Sequence, residues 1–305
     1  MTTWQFESQS TTGEWQKAKS PVDKTLYDVA QTRYGPVAVG GSGLIVARSM
    51  DDGNWGVLYD AGPGAENHVL KTAESTDDGG RVWFGGKTGA LGFYDLEEGA
   101  KYDLSEPEGR VPTWNTMAVH GERGSEKLLL ATTSGQVMLG YVDGVDVTWG
   151  QMTKPDGTTS VTATDAAPDG FGYVVNSNGG AFKTSIYEGW RRIGIDGAGT
   201  LGGVAAEKDS LLVVTSSGRA YRYAEGNQEW TPYKVGGNSL NGVDTQGKEA
   251  LAVGGSGSIY RSYSGSWYEA ESPAGNTLQA VAMGEVDVAV GSGGAIVERL
   301  TDPTA

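Results

Sequence analysis

The sequence predicts an all-β fold: a seven-bladed β-propeller of four-stranded blades. Three observations support this prediction. A unit of about 42 residues recurs along the chain, a length typical of a propeller blade. The apolar runs are short and lie between glycine-rich turns. The two ends of the chain also complement one another, so that together they complete one unit.

A glycine in the turn between the second and third strands marks each unit. The markers are Gly43, Gly89, Gly135, Gly180, Gly218, Gly257 and Gly294, at steps of 46, 46, 45, 38, 39 and 37 residues. The blades are therefore expected at about residues 23–66, 67–112, 113–158, 159–198, 199–237, 238–275 and 276–300, after a closing segment at 1–22. This spacing predicts one domain over residues 1–305 rather than two.

Short apolar and β-branched runs predict the strands within each unit. Examples are residues 128–132, 173–175 and 211–214, each flanked by polar or glycine-containing turns. No window keeps a helical period over three turns. The 49 glycines among 305 residues are expected mainly in tight turns, where positive φ is needed.

An aromatic residue follows each of the first six markers and predicts the outer strand of that blade. These residues are Trp55, Tyr102, Trp149, Trp190, Trp230 and Trp267. The seventh unit has none, but residues 13–30 align with residues 265–282 at a constant offset of 252, with nine of 18 positions identical. The N-terminal segment is therefore expected to form the outer strand of the last blade, which leaves no open edge, and the aromatic residues to pack between blades.

Charge and hydropathy exclude several classes of partner. With 23 basic and 38 acidic residues the formal charge is −15, which argues against nucleic acid and anionic membranes. No apolar run reaches 18 residues, so membrane insertion is not expected. The first residues, MTTWQFESQS, lack the basic and apolar regions of a signal peptide. Synthesis in the cytoplasm is predicted, with residence there or in a virion.

Residue types that carry much enzyme chemistry are scarce. Cysteine is absent and only two histidines occur, so no disulfide, metal site or cofactor is expected. Residues 197–202 satisfy GxGxxG, but no helix is predicted after them and we interpret them as a turn between blades. The paired acids at 51–52, 77–78 and 97–98 are expected in lower or outer turns, away from where glycosidase carboxylates would sit.

Recurring strings give the chain a family resemblance. VAVGGSG stands at 37–43 and LAVGGSG at 251–257, and TLxxVA stands at 25–30 and 277–282. Over nearly all of residues 13–300 the repeat resembles the BNR-like propellers that include photosystem II stability/assembly factors and their archaeal relatives. Residues 49–55 look like an Asp-box that is one residue short. The acidity is similar to that of the haloarchaeal branch of this group and of propeller modules on haloarchaeal virus particles.

Propellers commonly bind partners at the end of the channel where the inner strands begin. The candidates there are Lys24, His68, Lys87, Trp114, Asn178, Asn238 and Asn276. Short polar groups with one indole suit hydrogen bonding to sugars or to a peptide backbone. The alternative is that small polar residues simply make good turns. His120 is expected at the opposite face from His68, so that the two do not share a metal.

The first three repeat steps are longer than the last three, and insertions in repeat proteins often form binding loops. The charged segment from residue 95 to 110 is the candidate partner loop, with Asp95, Glu97, Glu98, Lys101 and Arg110 as its contact residues.

Together these observations predict a non-catalytic interaction module whose partner is a protein or a glycan. One setting is a virion or cell-surface attachment role in high salt, within a larger symmetric assembly. The other is a cytosolic scaffold like the resembled assembly factors. A carbohydrate-active hydrolase or lyase at the same face is the competing class.

Overall fold

The structure, a computed structural model, describes residues 13–64, 66–185 and 189–300. The remainder of the predicted closing segment, residues 1–12, lies outside the described residues. The first strand is β1 (Gln16–Lys17). Blade 1 contains β2 (Leu26–Ala30), β3 (Val37–Gly40), β4 (Ile45–Arg48) and β5 (Trp55–Tyr59), and blade 2 contains β6 (Leu70–Ser75), β7 (Arg81–Gly86), β8 (Leu91–Asp95) and β9 (Ala100–Asp103).

Blades 3 to 5 continue the pattern. They contain β10 (Trp114–His120), β11 (Lys127–Thr132), β12 (Val137–Asp143) and β13 (Asp146–Trp149); β14 (Val161–Ala166), β15 (Gly172–Asn176), β16 (Ala181–Ser185) and β17 (Gly189–Gly194); and β18 (Leu201–Glu207), β19 (Ser210–Thr215), β20 (Arg219–Ala224) and β21 (Glu229–Lys234). Blade 6 contains β22 (Leu240–Gln246), β23 (Glu249–Gly254), β24 (Ile259–Tyr263) and β25 (Ser266–Ala270). The last inner strands are β26 (Leu278–Ala282), β27 (Val286–Gly291) and β28 (Ile296–Leu300).

Seven antiparallel four-stranded sheets form the ring, as predicted. In blades 1 to 6 the strands follow chain order from the channel outwards, and the last blade has the order β26–β27–β28–β1. Gln16 pairs with Glu298 and Lys17 with Val297, and the N–H of Ala18 donates to the carbonyl of Ile296 at 3.0 Å. The predicted closure by the N-terminal segment is therefore confirmed.

The hydrophobic core is divided among the seven junctions between neighbouring blades, because each sheet buries both faces against its neighbours. Trp15 belongs to the junction of blades 6 and 7, and Trp55 to that of blades 7 and 1. The indole N–H of Trp230 donates to the carbonyl of Ile193 in the preceding blade at 2.6 Å. The outer aromatic residues thus pack between blades, as the sequence predicts.

The marker glycines are required by their conformation. Gly43 has φ of +71°, and a Cβ there would lie 2.5 Å from the backbone nitrogen of Gly62. In blade 4 the residue in this position is Gly179, with φ of +76°, and not Gly180. The marker assigned from sequence is wrong by one residue there, because two glycines stand side by side.

The two ends of the channel are distinguished by strand direction. The top face carries the turns that enter the inner strands and the turns between second and third strands; the bottom face carries the others. His68 precedes β6 and His120 ends β10, so they lie at opposite faces, as expected. Within the described ranges no helix has the length and apolar character needed to cross a bilayer.

Candidate functional site

The inner strands of all seven blades line a central channel that contains a cavity of about 330 Å³. Its walls are polar side chains, small apolar residues and backbone. Its lining runs from residues near the start of the inner strands, such as Tyr27 and Lys71, to residues at their ends, such as Ala30 and Ser75. Residues of all seven blades line it, and we take it as the candidate site.

A ring of seven residues surrounds the top entrance of the cavity, and we call it the mouth ring. Each member directly follows the first residue of its inner strand: Tyr27, Lys71, Asn115, Thr162, Gly202, Asn241 and Gln279. The register of every inner strand with its neighbour shifts at this residue. A β-bulge turns a side chain out of the ordinary alternation, so the bulges aim the six side chains of the ring, which exclude Gly202, at one opening.

Three aspartates deeper in the channel tie neighbouring blades together. Each carboxylate accepts one hydrogen bond from the N–H of the following residue and one from a backbone N–H within, or directly after, the inner strand of the next blade. Asp28 accepts from Val29 and Ala73 at 3.0 and 2.9 Å, Asp165 from Ala166 and Ala206 at 2.7 and 2.6 Å, and Asp244 from Thr245 and Met283 at 2.7 Å each. Hydroxyls take this place at two other junctions, where Thr72 accepts from the N–H of Met117 at 3.1 Å and Thr116 from that of Thr164 at 3.0 Å.

Glu74 is the fourth carboxyl of the channel and differs from the aspartates. No hydrogen bond to it is found in the described part of the chain, although its side chain lines the cavity. Burial, and then the charges of Asp165, Asp28 and Asp244, raise the pKa of Glu74 well above its ordinary value. Burial likewise raises the pKa of Asp28 and of Asp244 to about 6 and that of Asp165 to about 7, against the opposing hydrogen bonds.

The channel carboxyls were not expected from the sequence, which placed the acidic residues in lower or outer turns. A signal was present: an acidic residue inside an otherwise apolar or small-residue inner strand, as in LYDVA of β2 and LNGVDTQ of β22. Such a residue is costly unless its strand borders a polar cavity. The same pattern in several repeats therefore indicates a channel position.

Most of the predicted top-face candidates do lie at that face. Lys24, Lys87, Asn178 and Asn276 are exposed, and Asn238 and His68 are half-buried. The side-chain nitrogen of Asn276 donates to the carbonyl of Ser292 at 3.1 Å, and His68 contacts the carboxylate of Glu66. They surround the entrance outside the mouth ring.

Trp114 does not belong to this set, and its assignment to the entrance is corrected. It is the first residue of β10, the position that Leu26 and Leu70 occupy in their blades, and its side chain is 0% exposed. The indole packs with Trp83 and Phe93 at the junction of blades 2 and 3. Its role is in the core.

The predicted partner loop is divided by the fold, and Asp95 is corrected most clearly. Asp95 ends β8 and is 0% exposed. Its Oδ2 accepts from Arg123 Nε at 2.6 Å and from Arg81 Nη2 at 3.2 Å, and Arg81 Nη1 donates to Glu126 at 2.8 Å. Burial opposes ionisation, but the hydrogen bonds from Arg123, from the N–H of Glu98 and from Arg81 together lower the pKa of Asp95. This network joins blades 2 and 3.

The other members of that loop lie on different faces. Glu97 and Glu98 are in the bottom turn after β8, where both contact Arg123. Lys101 lies on β9, and its Nζ donates to the carbonyls of Ala61 and Gly62 at 3.0 and 2.7 Å. Arg110 is exposed on the top side of the blade. These residues do not form one surface.

Two sequence motifs have structural roles. In the Asp-box-like turn, Asp52 accepts hydrogen bonds from the side chain and N–H of Asn54, at 2.8 and 3.0 Å, which lower its pKa to about 2. In the GxGxxG segment, Gly197 and Gly199 have positive φ, and a Cβ on Gly202 would lie 2.2 Å from the carbonyl oxygen of Leu240. Both motifs serve turns and close packing.

Across the described ranges, no group of three histidine or carboxylate side chains is placed to hold a metal ion.

Comparison with known proteins identifies the fold but no family. No family model matches the chain, and no curated protein sequence matches it. Among solved structures it is similar to "YCF48 bound to D1 peptide", with 13% identity, a TM-score of 0.76 and coverage of 95% of this chain and 96% of that one. It is also similar to YCF48 from Cyanidioschyzon merolae, with 15% identity, a TM-score of 0.74 and coverage of 94% and 99%. The WD40 β-propeller domain of Doa1 has 14% identity, a TM-score of 0.73 and coverage of 94% and 96%.

Proposed function

We propose that this chain is a non-catalytic interaction module that holds a segment of a protein partner on the top face, over the mouth ring. The observation that carries the proposal is the ring itself, in which bulges on six of the seven inner strands direct side chains to one entrance, while Gly202 on the seventh has no side chain. Amide, hydroxyl and ammonium groups there can pair with peptide N–H and carbonyl groups. The YCF48 structure similar in fold is described as bound to a peptide, which supports a peptide as occupant.

The state of the channel carboxyls argues against hydrolysis. Glycosidases need one free acid and one free carboxylate facing the substrate. Here Asp28, Asp165 and Asp244 each have both oxygens engaged by backbone N–H groups. Of the four channel carboxyls, Glu74 alone accepts no hydrogen bond from the described residues. One unassisted carboxyl does not make the pair that the reaction requires.

Site-specific photo-cross-linking tests the proposal. A photo-reactive amino acid replaces Asn178 or Asn276 on the top face, and Asn227, an exposed asparagine in a bottom turn, is the matched control. We expect the two top-face variants to capture the same protein in cells and the Asn227 variant to capture none. Equal capture from both faces, capture from Asn227 alone, or no capture from the top face contradicts the proposal.

A glycan is the second candidate occupant, because the hydroxyl and amide groups around the entrance also suit sugars. Treatment of the captured partner with glycosidases separates the two. Loss of capture after deglycosylation favours the glycan, and unchanged capture favours the polypeptide.

The setting that we propose is a salt-rich one, either in the cytoplasm or on a virion or cell surface. It rests on the charge of −15, since dense acidic surfaces repel themselves less when salt screens them. Purification of the native particle or complex identifies the setting, and recovery from a low-salt cytosol as a free monomer would exclude the surface role.

A further inference from the structure

The mouth ring contains one cation that has no counterion. Lys71 follows the first residue of β6, is half-buried and lines the cavity. Its Nζ lies 3.6 Å from the ring centroid of Tyr27. Throughout the described part of the chain, neither Lys71 nor Lys87 has a carboxylate within ion-pair distance, although acidic residues outnumber basic ones in this protein.

Lys87 lies beside the start of β6, since its backbone N–H donates to the carbonyl of Val69 at 2.9 Å. Burial, and then the positive charge of Lys87, lower the pKa of Lys71. Lys71 stands at the start of its inner strand, whereas the carboxyls of Glu74, Asp165 and Asp244 line the channel nearer the ends of theirs.

Two asparagines of the mouth ring are held in one orientation by the next blade. The side-chain nitrogen of Asn115 donates to the carbonyl of Val161 at 3.0 Å, and that of Asn241 donates to the carbonyl of Leu278 at 2.8 Å. Within the described ranges the Oδ1 atom of each has no donor. Both side chains line the cavity, so each presents a preoriented acceptor at the entrance.

We propose that the mouth ring binds a carboxylate of the partner segment at Lys71 and Lys87, with adjoining peptide N–H groups donating to Asn115 and Asn241. This inference rests on the proposed function, whose binding site it makes specific. A carboxylate relieves the repulsion between two ammonium groups and forms charge-assisted hydrogen bonds with them. The carboxyls below the entrance repel an anion, so the bound group stays at the mouth.

Three synthetic peptides test the site: acetyl-GAGAGA with a free C-terminus, the same peptide as its C-terminal amide, and acetyl-GAGAEA as its amide. Binding is measured by calorimetry with the full chain at low ionic strength. We expect the free-acid peptide to bind about tenfold more tightly than its neutral amide, as for one charge-assisted pair. The third peptide distinguishes a C-terminal carboxylate from a side-chain carboxylate.

Variants then locate the binding. We expect Lys71→Gln and Lys87→Gln each to weaken the free-acid peptide about tenfold, and Lys71→Arg to retain most of the affinity. Lys208→Gln, an exposed lysine of a bottom turn, is the matched control and should change nothing. Lys87 is exposed, so its variant is informative even if a change at Lys71 impairs folding.

The inference is overturned if neither carboxylate-bearing peptide binds more tightly than the neutral amide, if none of the three binds, or if Lys208→Gln weakens binding as much as Lys87→Gln. These results leave the cross-linking experiment unaffected. Capture from the top face without a preference for carboxylate would retain the interaction module and remove only the carboxylate site.

Discussion

Raising the pH from 5 to 8 is expected to destabilise the ring, because the folded channel holds protons that the unfolded chain releases. Burial raises the pKa of Asp28 and Asp244 to about 6 and of Asp165 to about 7, and that of Glu74 also rises. In the unfolded chain these groups return to about 4. A raised folded-state pKa stabilises the fold at low pH, and that stabilisation is lost as the pH rises through the folded value.

The magnitude follows from these pKa values. Between pH 5 and pH 8 the loss is about 1 kcal/mol each for Asp28 and Asp244 and about 3 kcal/mol for Asp165. The carboxyls interact with one another, so the combined loss is not a simple total. A decrease of about 3 kcal/mol in the free energy of unfolding is the expected result.

Urea unfolding at pH 5, 6, 7 and 8 measures this decrease. Glu74→Gln isolates the cause, since it removes a charge without removing a hydrogen bond found in the described chain. We expect this variant to be more stable than the parent at pH 8 and to show a shallower pH dependence. Glu122→Gln, at an exposed bottom turn, is the control and should leave the profile unchanged. The reasoning would be refuted if the parent were as stable at pH 8 as at pH 5, or more stable. It would also be refuted if the free energy of unfolding of Glu74→Gln depended on pH as steeply as that of the parent.

Four further outcomes test the ring and its surface. Trp15→Ala should lower the free energy of unfolding by about 3–5 kcal/mol, because it leaves a cavity between blades 6 and 7. Deletion of residues 1–20 should lower the melting temperature of the entire ring. A change of only a degree or two after this deletion would argue against closure by the N-terminal segment. Arg81→Met should cost about 3–5 kcal/mol by leaving Glu126 buried without a cation, whereas Arg192→Met, at an exposed ion pair, should cost under about 1 kcal/mol in urea unfolding. The melting temperature should rise between 0.1 and 3 M KCl, since screening reaches a Debye length of about 3 Å at 1 M; an unchanged value would contradict the salt-adapted surface.

The errors in the predicted site have one physical origin. The sequence analysis treated Trp114 as part of a loop, although every other inner strand begins with a buried aliphatic residue at the same place, as Leu26 and Leu240 do. Alignment of the seven inner strands would have moved Trp114 into the core. It would also have brought Lys71 and Asn115 together as residues that follow this buried position.

The prediction that residues 95–110 form one partner loop was wrong for a related reason. Asp95 stands among charged residues in the sequence, which is typical of a solvated segment. Its burial depends on Arg81 and Arg123, which come from a neighbouring strand and from the next blade. A buried ion network is assembled from distant parts of the chain, so local composition does not reveal it.

What the sequence by itself determined is the ring: seven units, four strands in each, and closure by the N-terminal segment. These features follow from periodic apolar runs and turn glycines, which are local properties repeated along the chain. Only the tertiary structure decided what the channel contains. A bulge at the start of each inner strand changes which way the next side chain points, and seven such strands must come together before their lysine, asparagine and carboxyl groups face one cavity.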